Sequence, residues 1–176
     1  MKKDGFILGT IHRDNNTDNP ERLNALFEAF CDITEKHHIQ LVLPLHPRTA
    51  KLLPQNLAKS LHEKVSSNKN IHIIPPVSFL EMIALEKNAK IVMTDSGGVQ
   101  KEAFFFQKPC VILRPETEWV ELVEQGAAIV TDADKNRIVN AFEHYQQNEN
   151  IQYPPLYGDG KAAEFICGEI VKAFAN

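Results

Sequence analysis

Six short apolar runs, separated by longer segments of mixed polarity, limit what this chain can fold into. The runs are Gly5–Ile11, Gln40–Leu45, Ile71–Ile74, Lys90–Thr94, Pro109–Leu113 and Ala127–Val130. Each is short and rich in aliphatic and β-branched residues. A strand with one wet face alternates apolar and polar residues. A continuous apolar run of this length suits a strand buried on both faces, as in a parallel sheet.

The intervening segments read as helices. Asp18-Asn19-Pro20-Glu21 is a start signal, a polar cap followed by proline and an acid in the first turn. Leu23, Leu26, Phe27, Phe30 and Ile33 follow at helical spacing. Phe79 to Glu86 gives a short helix, and Gly97–Phe106, Thr117–Gln125, Asp134–Gln146 and Lys161–Phe174 complete the set. Pro54 marks a break in the region 49–66. Strand and helix alternate about six times, which is the pattern of an open, doubly wound, Rossmann-like α/β sheet. The stretch 148–160, with Pro154-Pro155 and Gly158-Asp159-Gly160, reads as a loop, a linker to an element that docks elsewhere.

The 176 residues suit one domain, and 43% hydrophobic with 24% charged residues argues for a packed core rather than disorder. A net charge of −4 supplies no basic surface for nucleic acid or an anionic membrane. No apolar run approaches the ~20 residues of a membrane span, and the first residues lack the pattern of a signal peptide. Cys31, Cys110 and Cys167 are odd in number and far apart, so buried, reduced thiols are expected. The first run begins almost at once, as expected of a natural terminus or of a domain taken from a larger protein.

The sharpest local feature is Thr94-Asp95-Ser96-Gly97-Gly98-Val99-Gln100-Lys101-Glu102-Ala103, which leaves a strand and opens a helix. Ligands of parallel sheets bind at the carboxyl ends of strands. There, glycines let a ligand approach the backbone, and unpaired N–H groups and the helix dipole favour phosphate. Ser96 either donates its hydroxyl to the ligand or caps the helix. The competing reading is a tight turn with no ligand. The pattern is neither a Walker loop nor a dinucleotide fingerprint. Glu102, four residues after Gly98, lies on the same side of the helix. A carboxylate set back from a phosphate suits the hydroxyls of a ribose.

Gly9-Thr10-Ile11-His12-Arg13 closes the first run and enters a polar loop. His12 can bond a phosphate or move a proton, and Arg13 can bond phosphate. His46-Pro47-Arg48 closes the second run and either joins the cleft or simply ends the strand. No His, Asp or Glu set has metal-ligand spacing, so no metal site is expected. A nucleophile elbow would need Gly-x-Ser-x-Gly, which is absent. A receiver domain would need an acidic cluster after its first strand, and that is also absent.

These motifs together resemble the non-hydrolysing UDP-N-acetylglucosamine 2-epimerases. The resemblance rests on Thr94–Ala103, Gln107-Lys108-Pro109, Arg114–Gly126, Tyr157–Ala163 and Thr10-Ile11-His12-Arg13, in order along nearly the whole chain. It implies that residues 1–176 form the UDP-binding, C-terminal half of a two-domain GT-B enzyme whose N-terminal domain is absent here. By that likeness Ser96, Gly97, Gly98 and Arg13 hold the diphosphate, Glu102 holds the ribose, and His12 is the catalytic contribution. The implied reaction removes the C2 proton as UDP leaves, then re-adds UDP with a proton on the opposite face. It needs no nicotinamide, metal or other cofactor. The implied partners are a UDP-sugar and the absent N-terminal domain. The isolated domain is expected to be inactive, and the full-length enzyme to be a cytoplasmic homodimer serving surface polysaccharide synthesis.

Two departures bear on the substrate. Thr117-Glu118-Trp119-Val120-Glu121 carries tryptophan where many members have arginine, and resembles the branch acting on UDP-2,3-diacetamido-2,3-dideoxyglucuronate. Met82 falls where other members place an aromatic against uracil. A GT-B glycosyltransferase half and a non-catalytic UDP-binding module are the remaining alternatives.

Overall fold

A computed structural model describes residues 3–148 and 150–174. Its centre is one all-parallel sheet of six strands: β1 (Phe6–Thr10), β2 (Gln40–Pro44), β3 (Ile71–Ile74), β4 (Ile91–Thr94), β5 (Cys110–Ile112) and β6 (Ala128–Val130). Their spatial order is β3-β2-β1-β4-β5-β6, the expected Rossmann-like arrangement. The order reverses between β1 and β4, which pair from Ile7 with Ile91 to Thr10 with Thr94. Ligand sites of open α/β sheets form at such a switch point.

The central strands β1, β4 and β5 are buried on both faces, as their composition requires, while the edge strand β3 leaves Ile73 40% exposed and β6 is only partly covered. Ile7, Leu41, Leu43 and Val111 point into one core, while Phe6, Leu8, Val42 and Ile112 point into the other. The first core is filled by α2 (Pro20–His37), α4 (Lys59–Ser67) and α8 (Lys135–Gln147). The second is covered by α6 (Gly97–Phe105) and α7 (Val120–Glu124), with Met82 and Leu85 of α5 (Phe79–Asn88) along its margin.

Helix α2 begins where its sequence signal lies. Asn19 accepts the N–H groups of Glu21 and Arg22, and Pro20 occupies the first turn. It ends at His38, whose φ of 49° turns the chain into β2. Helix α5 opens on a capping box: Ser78 accepts from Glu81 N–H, and the Glu81 side chain accepts from Ser78 N–H. Pro54 lies in the last turn of α3 (Pro47–Asn56), and the break falls just after it, before α4.

Three local expectations are corrected. The loop after β1 contains a helical turn, α1 (Asp14–Thr17). Helix α7 starts at Val120, not Thr117, because the Thr117 hydroxyl takes the Trp119 N–H at 3.0 Å. Cys31 and Cys110 are buried, but Cys167 is exposed on α9 (Ala162–Phe174). Helix α9 buries no residue, so its apolar side chains enclose nothing.

Candidate functional site

Side chains from β1 and β4 fasten the two strands together at their carboxyl ends. The hydroxyls of Thr10 and Thr94 share a hydrogen bond of 2.5 Å, and Thr94 Oγ1 also accepts the Ser96 N–H at 2.9 Å. The next residue, Asp95, is fully buried. Its carboxylate accepts the His12 N–H at 3.0 and 3.1 Å, the Arg13 N–H at 3.1 Å and the Asn16 side-chain amide at 3.0 Å. Charge-assisted bonds of this kind are strong. They fold the residues after β1 into α1 and fix where His12 and Arg13 stand.

The anchor is itself held. Asn16 donates to Leu113 O at 2.9 Å and accepts from Arg22, which also pairs with Asp132. A continuous chain of polar bonds therefore runs from the Asp132 turn, through Arg22, Asn16 and Asp95, to the backbone of His12.

Helix α6 begins beside Asp95. Ser96 is its N-cap, but the Ser96 hydroxyl caps no N–H. The N–H groups of Gly97, Gly98 and Val99 find no acceptor among the described residues. Neither glycine has a positive φ, so the turn does not require glycine for its backbone conformation. What the glycines supply is bare backbone: a Cβ at Gly98 would meet nothing closer than Ser96 Oγ at 3.9 Å. An anion fits such a helix end.

The loop after β5 closes over this turn. Arg114 makes a bidentate pair with Glu118 at 3.0 and 2.9 Å, near Gly97. The Trp119 indole N–H donates to Gly97 O at 2.8 Å, and Thr117 donates to the Gln100 side chain at 2.6 Å. Trp119 thus holds the loop to the glycine turn. The Lys101 ammonium lies over the rings of Trp119 and Tyr157, 4.5 and 4.2 Å from their centres. This places Tyr157, at the head of the Gly158-Asp159-Gly160 stretch, against α6.

A cleft of about 400 Å³ opens on the β2–β3 side of His12. Its walls include His12, His46, Pro76, Val77 and Met82. His46 is the N-cap of α3 and accepts the Arg48 N–H. Arg48 is bound by Asp14 at 2.9 Å and by Asp18 at 2.8 and 2.7 Å. Desolvation by its surroundings, followed by His46, holds the His12 pKa below the ordinary value, and Asp95 pulls against them. A neutral imidazole can both accept and donate a hydrogen bond.

The structure brings most of the sequence-derived residues into one region. His12 and Arg13 share one carboxylate anchor with the start of the Ser96-Gly97-Gly98 turn. Glu102, one turn into α6, is half-buried and faces Glu86 of α5. The cleft lies beside His12 and does not include Ser96, Gly97, Gly98, Arg13 or Glu102 in its walls. Sequence reasoning gave no role to Asp95, Asn16 or Glu86. A signal for Asp95 was present: an acid between a buried strand and a glycine turn needs donors to compensate it.

An all-parallel α/β domain with a helix N-terminus and paired loops at its switch point belongs to the class of Rossmann-like proteins whose geometry suits a nucleotide or phosphate ligand. Comparison narrows the class. Residues 1–171 match the family described as UDP-N-acetylglucosamine 2-epimerase, and the chain belongs to it. The UDP-2,3-diacetamido-2,3-dideoxy-D-glucuronate 2-epimerase of Pseudomonas aeruginosa is 42% identical over 97% of this chain and 45% of its own length. The UDP-N-acetylglucosamine 2-epimerase of Methanocaldococcus jannaschii is 41% identical over 93% of this chain and 43% of its own length. The structure of the M. jannaschii enzyme in complex with UDP-GlcNAc and UDP superposes with a TM-score of 0.83 at 40% identity, covering 97% of this chain and 46% of that one. The chain therefore spans somewhat less than half the length of these relatives.

Proposed function

We propose that residues 1–176 are the UDP-binding, C-terminal domain of a two-domain GT-B UDP-N-acetylglucosamine 2-epimerase. The observation that carries this reading is the start of α6. Three N–H groups with no acceptor among the described residues, and an uncommitted Ser96 hydroxyl, follow directly on Asp95, the residue that anchors the His12 backbone, with Glu102 one turn further on. In this reading Ser96, Gly97, Gly98 and Arg13 take the diphosphate, and Glu102 takes the ribose hydroxyls. The cleft lined by Pro76, Val77 and Met82 takes the uracil. Its thioether and ring carbons suit a flat base without strong directional demands.

His12 stands where the diphosphate and the sugar meet. As the C1–O bond to UDP breaks, the proton at C2 leaves and a glycal-like intermediate forms. The reverse addition re-forms the C1–O bond and places a proton on the other face of C2. A neutral His12 steadies the departing diphosphate by donating a hydrogen bond. The groups that exchange the C2 proton come from the absent N-terminal domain, so this domain alone is inactive. The exposed apolar face of α9, with Phe165, Ile166 and Ile170, suits cover by such a domain. The full-length protein is read as a cytoplasmic homodimer serving surface polysaccharide synthesis. Among the described residues no helix is long and apolar enough to cross a membrane.

A second substrate is favoured by one observation. Trp119 is hydrogen-bonded into the glycine turn, so the T-E-W-V-E sequence is a built part of the site. The P. aeruginosa relative named above acts on a diacetamido-glucuronate. With that substrate the chemistry is the same, and the sugar carboxylate calls for an additional cation from the other domain.

The test is solvent exchange at C2 in full-length protein in heavy water. Deuterium should enter C2 of UDP-N-acetylglucosamine, or of the diacetamido-glucuronate, without any acceptor. Release of UDP only when an acceptor is supplied, with no deuterium at C2, would instead indicate a glycosyltransferase.

A further inference from the structure

Helix α5 links the cleft to Glu102. Met82 lines the cleft, and Glu86, four residues on, lies on the same face of the helix. Glu86 is fully buried, and neither of its carboxylate oxygens has a hydrogen-bond partner. Among the described residues no cation compensates it. Lys87 is exposed, Lys90 bonds Gln146, and Lys101 lies over Trp119 and Tyr157. The titratable group facing it is Glu102 of α6.

A buried carboxylate with no donor around it, set against a second carboxylate, is strongly disfavoured. A neutral carboxylic acid in the same place is not, since it carries an O–H and Glu102 offers it an acceptor. Burial first, and then Glu102, pushes the Glu86 pKa up to about 8. We propose that Glu86 is a positioning residue, a neutral acid whose O–H donates to the Glu102 carboxylate and fixes which way that carboxylate faces. This rests on the reading of Glu102 as the ribose ligand. Glu86 touches no substrate. It leaves Glu102 charged and aimed outward while one of its oxygens is occupied from behind. When Glu86 ionises, the two carboxylates repel and the aim is lost.

The test is UDP affinity of this chain by calorimetry at pH 7 and pH 9, for wild type, Glu86→Gln and Glu86→Met. Glutamine keeps a donor at every pH, and methionine has none. Wild-type affinity should fall by about tenfold between the two pH values, the loss expected as a group with a pKa near 8 ionises. Glu86→Gln should bind like wild type at pH 7 and keep that affinity at pH 9. Glu86→Met should bind weakly at both. Ionisation of UDP itself is common to all three proteins. A ratio of wild-type to Glu86→Gln affinity that does not change with pH would overturn the proposal. Glu102→Ala binding UDP like wild type would overturn the ribose reading instead. The carboxyl pair is then judged without nucleotide, by carbon NMR of the side-chain carboxyls. Glu86 should titrate in the neutral range and return toward ordinary values in Glu102→Gln. Titration of Glu86 near 4.5 in wild type would overturn the proposal on its own.

Discussion

The His12 backbone N–H donates to both carboxylate oxygens of Asp95, at 3.0 and 3.1 Å, across the junction of β1 and β4. The two residues lie 83 positions apart in sequence. This contact places the histidine, and the same carboxylate places Arg13 and Asn16. Asp95→Ala leaves the N–H groups of His12 and Arg13 and the Asn16 amide short of an acceptor. The expected cost is on the order of 3 kcal/mol of stability, from breaking a buried charged network. Denaturant unfolding measures it, and a loss below about 1 kcal/mol would show that the anchor is dispensable.

The same carboxylate acts on the His12 ring. Asp95 raises the imidazole pKa while desolvation and His46 lower it, with lowering the net result. Proton NMR should place His12 below the ordinary value of about 6.5. Asp95→Asn removes the raising influence, so the pKa should drop further. The linkage sign follows: a depressed histidine costs the fold nothing above about pH 6.5 and costs progressively more as pH falls below it.

Glu86 gives the opposite slope. Its folded pKa, about 8, exceeds the ordinary carboxylate value, so the folded state binds the extra proton. Stability is therefore lost as pH rises from about 4.5 to about 8, and levels off beyond. Thermal unfolding of Glu86→Gln should match wild type near pH 4.5 and exceed it increasingly up to pH 8. A constant offset across this range would contradict the assignment.

Trp119→Phe keeps the ring beside Lys101 and Tyr157 but removes the N–H that holds Gly97 O. A cost of about 1 kcal/mol is expected, with hydrogen exchange faster at the start of α6 than elsewhere. Unchanged exchange there would mean that the loop is held by Arg114 and Thr117 without the indole.

Helix α9 exposes 70% of Phe165 and 53% of Ile170. Phe165→Glu with Ile170→Glu should leave the unfolding free energy of this chain within about 0.5 kcal/mol, since neither side chain is buried. The same pair in the full-length protein should be destabilising. Equal tolerance in both settings would argue against cover of α9 by another domain.

The sheet was legible because a strand buried on both faces must be largely apolar, and the runs that became β1, β4 and β5 obeyed that rule, while the edge strand β3 was legible from its isoleucines although Ile73 is exposed. The glycine turn was legible because Ser96-Gly97-Gly98 follows such a run directly. Helix α1 was not, because its organising acceptor, Asp95, comes from another strand. Glu86 was hidden for a related reason. Its spacing on α5 suits either face, and only packing against α6 buries it against Glu102. The late start of α7 depended on one side-chain bond within the Thr117-Glu118-Trp119 turn, and Cys167 became exposed because nothing in the described chain covers α9.

The most direct measurement is UDP binding to this chain by calorimetry, with Ser96→Ala and Glu102→Ala alongside. Wild type should bind UDP at or below millimolar concentration, and each substitution should weaken binding several-fold, as loss of one charged or polar contact does. No detectable binding at millimolar UDP, with both variants indistinguishable from wild type, would contradict a nucleotide grip at the start of α6.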